Sequence, residues 1–516
     1  MDTEKRTYCS DLGDGTYLNP LLHGEYPDPA ILKDGKDYYM VNCGQPMLWH
    51  SQDLLHWEPV CEIPYPMGGA ADLCKIGDTY IIYNIHPFVR DENDYKASGI
   101  YAITTKNIKS GKWEAPVLVG PALNLPNGAE LIDPGMLEDL EGKRWLFMSD
   151  NYCFPLSDDG LHITGPGVRV LDDEKFPDDW EIQGVYTEGP RFTKKDGWIY
   201  LTLAAGGTEG PPTSHGVFSY RSKSALGPWE RSPYNPIIRT RSRREKWLSK
   251  GHGTLVEAPD GNWYLVYHGF LRDRYNQSRM PLMEPIQWTE DGWFRVPEWS
   301  DPAKPLPAPA KGRAVPHGYP TKIRFPEEHP LPGQWLPTGN VGDRMENRTD
   351  GLLIHGQGTG LHNCGALRYQ GLFRNFQVTV HATVGAGAGM ALGMYYTDEF
   401  SVGFGLKDNW IWTFWPGSDV NRCHGKPYHW DEIYMKMVIH EQVLSLYFGP
   451  DGQHWEKTIN NTSIEHISCL ASIPRDEPGC AMLPALFTYG NGDVVYHSFE
   501  ISPIPDEDLE EDYRER

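Results

Sequence analysis

The chain has 516 residues, of which 39% are hydrophobic, 23% charged and 12% aromatic, and its formal net charge is −23. This length allows two or three domains, and the composition is that of a globular protein rather than a disordered or fibrous one. The negative charge excludes nucleic acids and anionic membranes as favoured partners, because both would be repelled. A neutral sugar would not be repelled, and aromatic rings can stack on sugars, although we expect most of these rings to be core.

The N-terminal sequence and the cysteines bear on localisation. The chain begins Met-Asp-Thr-Glu-Lys-Arg without an apolar stretch, and no run approaches the roughly 18 apolar residues of a membrane-spanning helix. As it stands, the sequence predicts a cytoplasmic protein with no membrane partner; it would be secreted or periplasmic if a leader has been removed. The nine cysteines are scattered, without Cys-x-x-Cys pairs or zinc-site spacing, so we expect free thiols.

Five segments share one pattern, a turn glycine followed by a hydrophobic strand rich in aromatic residues. They are Gly35-Lys-Asp-Tyr-Tyr-Met-Val, Gly77-Asp-Thr-Tyr-Ile-Ile-Tyr, Gly142-Lys-Arg-Trp-Leu-Phe-Met, Gly197-Trp-Ile-Tyr-Leu-Thr-Leu and Gly261-Asn-Trp-Tyr-Leu-Val-Tyr. Successive glycines are 42, 65, 55 and 64 residues apart, so each interval has room for one four-stranded antiparallel sheet. Such sheets cannot bury their faces alone, and radial stacking is the natural solution.

A second signature marks the outer part of several intervals. A polar turn closes on a tryptophan at Trp57, Trp113 and Trp229, as expected for the outer strands of a propeller blade. Strong helical periodicity is absent throughout. We therefore predict an all-β protein in which residues 15–300 form a five-bladed β-propeller.

The pattern changes after residue 300. Four prolines follow at short intervals: Pro302, Pro305, Pro307 and Pro309. They predict a stiff linker over residues 301–320. Beyond it, strands with period-2 alternation recur, such as Phe376-Gln-Val-Thr-Val-His-Ala, and they predict a concanavalin-like β-sandwich over residues 321–505. The acidic residues 506–516 should form a solvated tail.

Acidic or imidazole side chains recur just ahead of the repeat strands. Asp133, Glu188 and His252 each lie nine residues before the glycine of their repeat. Asp28 lies seven residues and Asp72 five residues before theirs. The innermost strand of each blade should run here, and innermost strands converge on the propeller axis. We therefore expect these side chains to meet in one pocket.

Converging carboxylic acids are the minimum equipment for cleaving a glycosidic bond. One acid must be protonated to release the leaving-group oxygen, and the other must be ionised to activate water. Close carboxylates raise one another's pKa, which preserves the acid form near neutral pH. A single acid near a turn is ordinarily solvated, but three acids and a histidine at similar repeat positions favour a site.

The sequence around these positions resembles glycoside hydrolase family 43. The motifs are Tyr26-Pro-Asp28-Pro-Ala-Ile, Ile132-Asp133-Pro, Thr187-Glu188-Gly-Pro, and Gly251-His252-Gly with Trp263-Tyr264. The resemblance implies that Asp28 is the general base, that Asp133 orients the acid and raises its pKa, and that Glu188 is the general acid. The family inverts the anomeric configuration, which requires roughly 6.5–9.5 Å between base and acid.

The resemblance also covers residues around the expected sugar pocket. His252 matches a central histidine that in relatives lies under the site and can hold a water-coordinated calcium ion. Arg279 matches an arginine that contacts the terminal sugar. Ala204-Ala-Gly-Gly-Thr208, followed by His215, resembles the segment after the acid in β-xylosidases. The C-terminal strands resemble the sandwich of two-domain members, in which a sandwich loop closes one end of the pocket and favours exo-action.

Two segments beside the pocket depart from the family pattern. The second blade usually carries Trp-Ala-Pro-Asp, but here it has Gly69-Ala-Ala-Asp72, so the tryptophan is missing. After the first blade strand, xylosidases present Ser-Ser and an aromatic residue, where this chain has Asn42-Cys-Gly-Gln-Pro-Met-Leu-Trp49. We expect Asp72 to bind substrate, and Trp49 is either a replacement stacking platform or an ordinary packed residue. The sugar itself is left open.

Together these observations predict an inverting, exo-acting glycoside hydrolase that releases terminal β-D-xylose or α-L-arabinofuranose from oligosaccharides derived from plant polysaccharides. No organic cofactor is required, and calcium at His252 is the one metal suggested. The partner is an oligosaccharide or polysaccharide. Two-domain relatives often form dimers or tetramers, which suggests a homo-oligomer. The alternatives are a galactan- or arabinan-directed hydrolase of the same family, and a carbohydrate-binding propeller without turnover.

Overall fold

A computed structural model describes residues 10–65, 68–85, 99–121, 131–208, 210–309, 312–325, 331–416, 425–458, 461–468 and 481–504. These residues form two compact units. The propeller unit contains the described parts of Cys9–Arg272 and Arg279–Pro316, and the sandwich unit contains those of Asp273–Ser278 and His317–Arg516.

The helices in the described ranges are single 3-10 turns: Ile108–Ser110, Ser149–Asn151, Tyr275–Gln277 and Val341–Arg344. Within those ranges, none is long or apolar enough to cross a bilayer.

Five antiparallel sheets form the blades of the propeller unit, in agreement with the prediction from the repeats. A short strand β1 (Thr16–Tyr17) precedes them. The first blade contains β2 (Ala30–Asp34), β3 (Asp37–Asn42), β4 (Gln45–Ser51) and β5 (Glu58–Glu62); the second β6 (Asp72–Ile76), β7 (Thr79–Asn84), β8 (Gly99–Thr105) and β9 (Val117–Pro121). The third contains β10 (Gly135–Glu138), β11 (Arg144–Phe147), β12 (Tyr152–Pro155) and β13 (Val168–Arg169). The fourth contains β14 (Thr187–Lys195), β15 (Trp198–Ala205), β16 (Gly216–Ser222), β17 (Glu230–Arg231) and β18 (Ile238–Arg239); the fifth β19 (Trp247–Glu257), β20 (Trp263–Leu271), β21 (Arg279–Trp288) and β22 (Phe294–Arg295).

The first strand of each blade is the innermost one. Each first strand neighbours the first strand of the next blade, and β19 of the fifth blade neighbours β2 of the first. Side-chain contacts join the fifth blade to the first: Thr254 donates to the carbonyl of Pro29 at 2.7 Å, and Lys33 pairs with Glu257 at 2.8 Å. The ring of inner strands brings the residues ahead of the repeat glycines to one axis.

The repeat glycines make the turns between the first and second strand of each blade. Their φ angles lie between 60° and 84°, the left-handed region that glycine adopts without penalty: Gly35, Gly77, Gly142, Gly197 and Gly261. At four of them an added Cβ would meet nothing within 4 Å. Backbone conformation, rather than lack of space, therefore explains the glycine in this repeat.

Hydrophobic cores lie between adjacent blades. Between the first and second blades, Ala30 and Val41 pack in one cluster with Ile82 and Ile103, all at most 1% exposed. Similar clusters join the second blade to the third and the fourth blade to the fifth. Each sheet thus buries both faces against its neighbours, as radial stacking requires.

The proline-rich stretch is only partly a linker. Its residues up to Pro316 belong to the propeller unit. Strand β23 (Leu306–Pro307) pairs with β1, and the fully buried Tyr17 donates its hydroxyl to the carbonyl of Met283 at 2.7 Å. The structure thus differs from the predicted linker over residues 301–316, because prolines can occupy short edge strands where no ladder N–H is needed.

The sandwich unit contains two antiparallel sheets. The nine-stranded sheet has β24 (Lys322–Arg324), β26 (Met345–Arg348), β27 (Gly351–His355), β29 (Phe376–Val384), β34 (Glu432–His440), β35 (Val443–Gly449), β36 (Glu456–Lys457), β37 (Thr462–Ser463) and β39 (Asp493–Pro503). The seven-stranded sheet has β25 (Trp335–Pro337), β28 (Leu367–Tyr369), β30 (Ala388–Tyr395), β31 (Ser401–Lys407), β32 (Trp410–Phe414), β33 (Lys426–Pro427) and β38 (Leu483–Gly490). Phe499 of the first sheet packs against Trp335 and Tyr369 of the second, with ring centroids 4.9 and 4.8 Å apart, so the sheets face each other.

Five cysteines are described, and all are free thiols, as the sequence predicts: Cys43, Cys61, Cys74, Cys153 and Cys364. The other four, and the predicted acidic tail 506–516, lie outside the described residues.

Candidate active site

Asp28 lies two residues before β2 and is buried, with 5% of its surface exposed. Nη1 of Arg279 donates to both of its carboxylate oxygens, at 3.1 and 3.3 Å. Oδ1 also lies 2.8 Å from Nδ1 of His268 and 3.2 Å from Nδ1 of His252. Three side chains from three successive strands of the fifth blade therefore surround one carboxylate of the first.

These neighbours decide the charge of Asp28. Burial raises its pKa, but Arg279, His252 and His268 act in the opposite direction and leave the pKa of Asp28 well below its ordinary value. Burial lowers the pKa of His268 to about 3 and that of His252 well below its usual range, although Asp28 opposes both shifts. Arg279, which opposes the effect of burial most strongly, is the permanent cation beside Asp28.

Asp133 lies two residues before β10 and is 4% exposed. Its Oδ1 accepts a hydrogen bond from the backbone N–H of Ala70, and its Oδ2 from that of Gly189, both at 3.2 Å. Burial, followed by the negative charges of Glu188 and Asp28, raises the pKa of Asp133 well above its ordinary value. Asp133 therefore keeps a proton under conditions in which an ordinary aspartate is ionised.

Glu188 is the second residue of β14. Its Oε1 lies 3.2 Å from Nε2 of His215, the residue just before β16. The side chain is 14% exposed, against 7% for that of Asp28. The ladder between β14 and β15 shifts register between Glu188 and Arg191, and such bulges commonly redirect side chains next to active sites. The structure thus brings Asp28, Asp133 and Glu188 into one charged cluster.

A residue with left-handed backbone lies shortly before or within the inner strand of every blade. The five residues are Asp28, Gly69, Asp133, Gly189 and His252, with φ of 51°, 59°, 57°, 60° and 57°. In three of them the residue is not glycine, so the backbone is strained, as is common at functional sites. The equal sequence offset of Glu188 therefore does not make it structurally equivalent to Asp133 and His252; Gly189 takes that place.

Asp72 is held by a buried arginine. The pKa of Asp72 is raised by burial, and this is opposed by Arg191 and by the backbone N–H of Met136. That N–H donates to Oδ2 at 2.8 Å, and Nε of Arg191 lies 3.8 Å from Oδ1. Arg191 also donates to the carbonyls of Ala71 and Pro190, at 2.8 and 2.9 Å. The contacts of Asp72 are thus those of a residue that joins inner strands, and its predicted contact with substrate stays a prediction.

Trp49 does not provide a stacking platform in this structure. It has no exposed surface, whereas a platform needs an exposed ring face. Its ring packs edge-on against Tyr26, with centroids 5.4 Å apart. The alternative of an ordinary packed residue is the one that fits. Tyr26 belongs to the segment that carries Asp28, so Trp49 supports the site from behind.

The donor set around His252 does not fit calcium. Its Nε2 is buried without a hydrogen-bond partner, but calcium prefers six to eight oxygen ligands. In the described ranges, no group of three or more His, Cys, Asp and Glu residues is arranged to hold a metal ion. An added Cβ at Gly189 would come within 2.4 Å of Nε2, so this nitrogen faces the neighbouring backbone. No chemical step is therefore assigned to a metal here.

Two histidines belong to the site that the sequence prediction did not include. In the sequence His215 stands only within a family motif, and His268 belongs to none of the motifs. A signal for His268 exists in the repeat, because seven residues after each repeat glycine lie Asn42, Asn84, Ser149, Ala204 and His268. Four of these are polar, and those four are at most 4% exposed. Buried polar residues at a repeated position mark the second strand as a contributor to the site.

The cluster contains the groups needed for acid–base chemistry. The pKa of Asp28 lies well below its ordinary value beside Arg279, and burial and the charge of Glu188 hold the pKa of Asp133 well above its own. Carboxyl groups whose surroundings push their pKa values apart can act as base and acid in one reaction.

Comparison with known proteins gives consistent matches. The chain is 25% identical over 369 residues to xylosidase/arabinosidase 43B of Humicola insolens, covering 65% of each chain. It is 30% identical over 304 residues to a non-reducing end α-L-arabinofuranosidase of Bacteroides ovatus, covering 55% of this chain and 54% of the relative. The chain thus spans just over half to about two thirds of the length of these relatives. The solved structure of the GH43 BlXynB protein from Bacillus licheniformis has the same fold, with a TM-score of 0.80 at 23% identity over 95% of this chain and all of that one.

The sequence model of glycosyl hydrolases family 43 matches residues 17–294, a stretch that begins before the first blade, ends within the last strand of the fifth and holds the three clustered carboxyl groups. The chain belongs to glycosyl hydrolases family 43.

Proposed function

We propose that the protein is an inverting, exo-acting glycoside hydrolase that releases terminal β-D-xylose or α-L-arabinofuranose from oligosaccharides derived from plant polysaccharides. The observation that carries this proposal is the clustering of three carboxyl groups: Asp28 bonded to Arg279, Asp133 bonded to the backbone N–H of Gly189, and Glu188 beside His215. The names of the relatives, a xylosidase/arabinosidase and a non-reducing end α-L-arabinofuranosidase, support the choice of sugar and of exo-action.

Asp28 is the proposed general base. Its carboxylate accepts a proton from a water molecule as the water oxygen bonds to the anomeric carbon. Arg279 and His268 fix the carboxylate at 3.1 and 2.8 Å, so that its orientation is set before substrate binds. Because a strong cation lies beside it, Asp28 is available as a base over the whole neutral range.

Glu188 is the proposed general acid. It donates a proton to the glycosidic oxygen as the bond from this oxygen to the anomeric carbon breaks. Its side chain is more exposed than that of Asp28, as a group that reaches the leaving oxygen should be. Asp133 is the proposed orienting residue, since its Oδ2 accepts from the backbone N–H of Gly189, directly after the acid. Solvent exchange returns the proton from Asp28 and reprotonates Glu188.

These steps use side chains alone, so we propose that no organic cofactor takes part. Dialysis against EDTA should leave kcat/KM and the melting temperature unchanged. A fall in either that calcium restores would show a metal that the described donor set does not predict.

The experiment that tests the function uses nitrophenyl β-D-xyloside and nitrophenyl α-L-arabinofuranoside. We expect turnover of at least one, and Glu188→Ala should lower kcat/KM on unactivated xylo-oligosaccharides by about 10²–10⁴-fold. The matched control is Glu230→Ala on an outer strand of the same blade, where the side chain is 51% exposed and pairs with Arg221. The control should keep full activity. Sugar binding without turnover on any pentoside would contradict the proposal.

Proton NMR of the first product tests inversion separately. An inverting reaction gives the opposite anomer to that of the substrate, because water attacks from the face opposite the leaving group. A product that first appears with the anomeric configuration of the substrate would contradict the roles given to Asp28 and Glu188.

A further inference from the structure

A general acid must present its proton in one direction, and the backbone of Glu188 is well fixed for this. Glu188 pairs with Ala204 across the ladder, and the next N–H, that of Gly189, bonds to Asp133. The carboxyl group itself lies three rotatable bonds further out. In the part of the chain that the structure describes, one polar side chain contacts it, His215, with Nε2 3.2 Å from Oε1.

The ring of His215 is itself held firmly. It has no exposed surface and stacks on His268, with ring centroids 5.2 Å apart and planes 28° from parallel. On another side it meets Gly251, where an added Cβ would lie 2.1 Å from Nδ1. No left-handed φ is recorded for Gly251, so its glycine is explained by the space that the imidazole occupies. Packing therefore holds the ring in one position in the absence of substrate.

The stacked ring also connects to the other carboxylate, because Nδ1 of His268 lies 2.8 Å from Oδ1 of Asp28. The contact between His215 and Glu188 does not have ideal hydrogen-bond geometry, and His215 has no other polar partner among the described residues. Catalytic hydrogen bonds are often poorly aligned before substrate binds. A buried and immobilised ring nitrogen that lies 3.2 Å from a carboxylate oxygen is poorly explained by packing alone.

We propose that His215 is the positioning residue of the general acid: it fixes the carboxyl group of Glu188 in the direction from which the proton reaches the glycosidic oxygen. This inference rests on the proposed role of Glu188. Because His215 has no exposed surface, its proposed action is on Glu188 and not on the sugar. The loss of kcat/KM on removing His215 should therefore be larger for poorer leaving groups, which depend more on protonation.

The test measures kcat/KM for a series of aryl glycosides, from dinitrophenyl to unsubstituted phenyl, and for an oligosaccharide of the same sugar. His215→Phe keeps a flat ring against His268 but removes Nε2. We expect little loss with dinitrophenyl as the leaving group and about 10–100-fold loss with phenyl and the oligosaccharide, part of the full contribution of a general acid. His215→Gln, whose amide nitrogen can take the place of Nε2, should recover part of the loss.

A second variant displaces the ring without removing it. Gly251→Ala inserts a methyl group against Nδ1, and we expect the same dependence on the leaving group. The control is His50→Phe, which removes a buried imidazole bonded to Asp37 and Glu58 in the first blade. His50→Phe should leave the dependence of kcat/KM on the leaving group as it is in the wild type. Melting temperatures check that every variant folds.

The outcomes separate the two proposals. Equal losses with all leaving groups, in both His215→Phe and Gly251→Ala, would overturn the positioning role while the hydrolase function stands. A folded wild-type protein that cleaves no glycoside of the series would overturn the proposed function and this role with it.

Discussion

Arg279 contacts both carboxylate oxygens of Asp28 through a single guanidinium nitrogen, at 3.1 and 3.3 Å. The side chains involved are 15% and 7% exposed, so water screens the pair only weakly. The proposed base therefore has a permanent cation as its direct neighbour, whereas the described neighbour of the proposed acid is an imidazole, that of His215.

Replacing Arg279 by methionine should impair the base and shift the pH dependence. Arg279 lowers the pKa of Asp28, so its loss raises that pKa, and the acidic limb of the kcat/KM profile moves to higher pH. We also expect a fall in kcat/KM of about 10²-fold or more, as for loss of other positioned charged donors. Arg295→Met, on the outermost strand of the same blade, is the control. An unshifted acidic limb would show that Arg279 does not set the charge of Asp28.

Asp133 should reduce the stability of the folded protein at neutral pH. The folded state raises its pKa, so its contribution is fully present below the pKa of the unfolded chain and is lost as pH rises through the folded value. Asp133→Asn has no carboxyl group to titrate, so the variant does not lose this stability as pH rises. We expect the variant to gain melting temperature over the wild type by more at pH 8 than at pH 5, while its activity falls.

Asp28 should behave in the opposite way and serves as the comparison. Its pKa is lowered in the folded state, so its stabilising contribution is present above the unfolded pKa and is lost as pH falls through the folded value. Asp28→Asn should therefore lower the melting temperature at neutral pH. If both variants shift stability in the same direction at pH 8, the two carboxyl groups do not differ in charge as described.

Arg191 should be a stability residue of the inner ring. It is 5% exposed and joins three blades through Asp72, the carbonyl of Ala71 and that of Pro134. Arg191→Met would leave the buried carboxylate of Asp72 without its cation, which typically costs about 3–5 kcal/mol. Denaturant unfolding measures this cost. The double variant Arg191→Met/Asp72→Leu should recover part of it, and an additive result would show that the two residues do not interact.

The sequence predicts the propeller well because its turns need left-handed backbone, which glycine supplies at a fixed place in each blade, as at Gly35 and Gly142. It also predicts that Asp28, Asp133 and Glu188 converge, since inner strands share one axis. It does not predict which side chains contact them. The contact of His268 with Asp28 depends on how the fifth blade closes against the first, and that of His215 with Glu188 joins β14 to the residue just before β16.

Trp49 shows the limit of a motif when burial is unknown. Its place after the first blade strand allowed either a stacking platform or an ordinary packed residue, and in the structure it has no exposed surface and packs against Tyr26. A strand residue that faces the core and one that faces the pocket can differ by a single position, because side chains alternate. The sequence pattern alone therefore does not distinguish a stacking platform from a packed core residue.

The packing role of Trp49 gives the last prediction. Trp49→Ala should cost about 3–5 kcal/mol of unfolding free energy, as removal of a buried aromatic side chain does. The milder Trp49→Phe should lower kcat through movement of the Tyr26–Asp28 segment but leave KM for aryl pentosides unchanged, because the ring has no exposed surface. Trp299→Ala, at a position 61% exposed, should leave stability unchanged. A rise in KM for Trp49→Phe, without loss of stability, would indicate that Trp49 contacts the sugar.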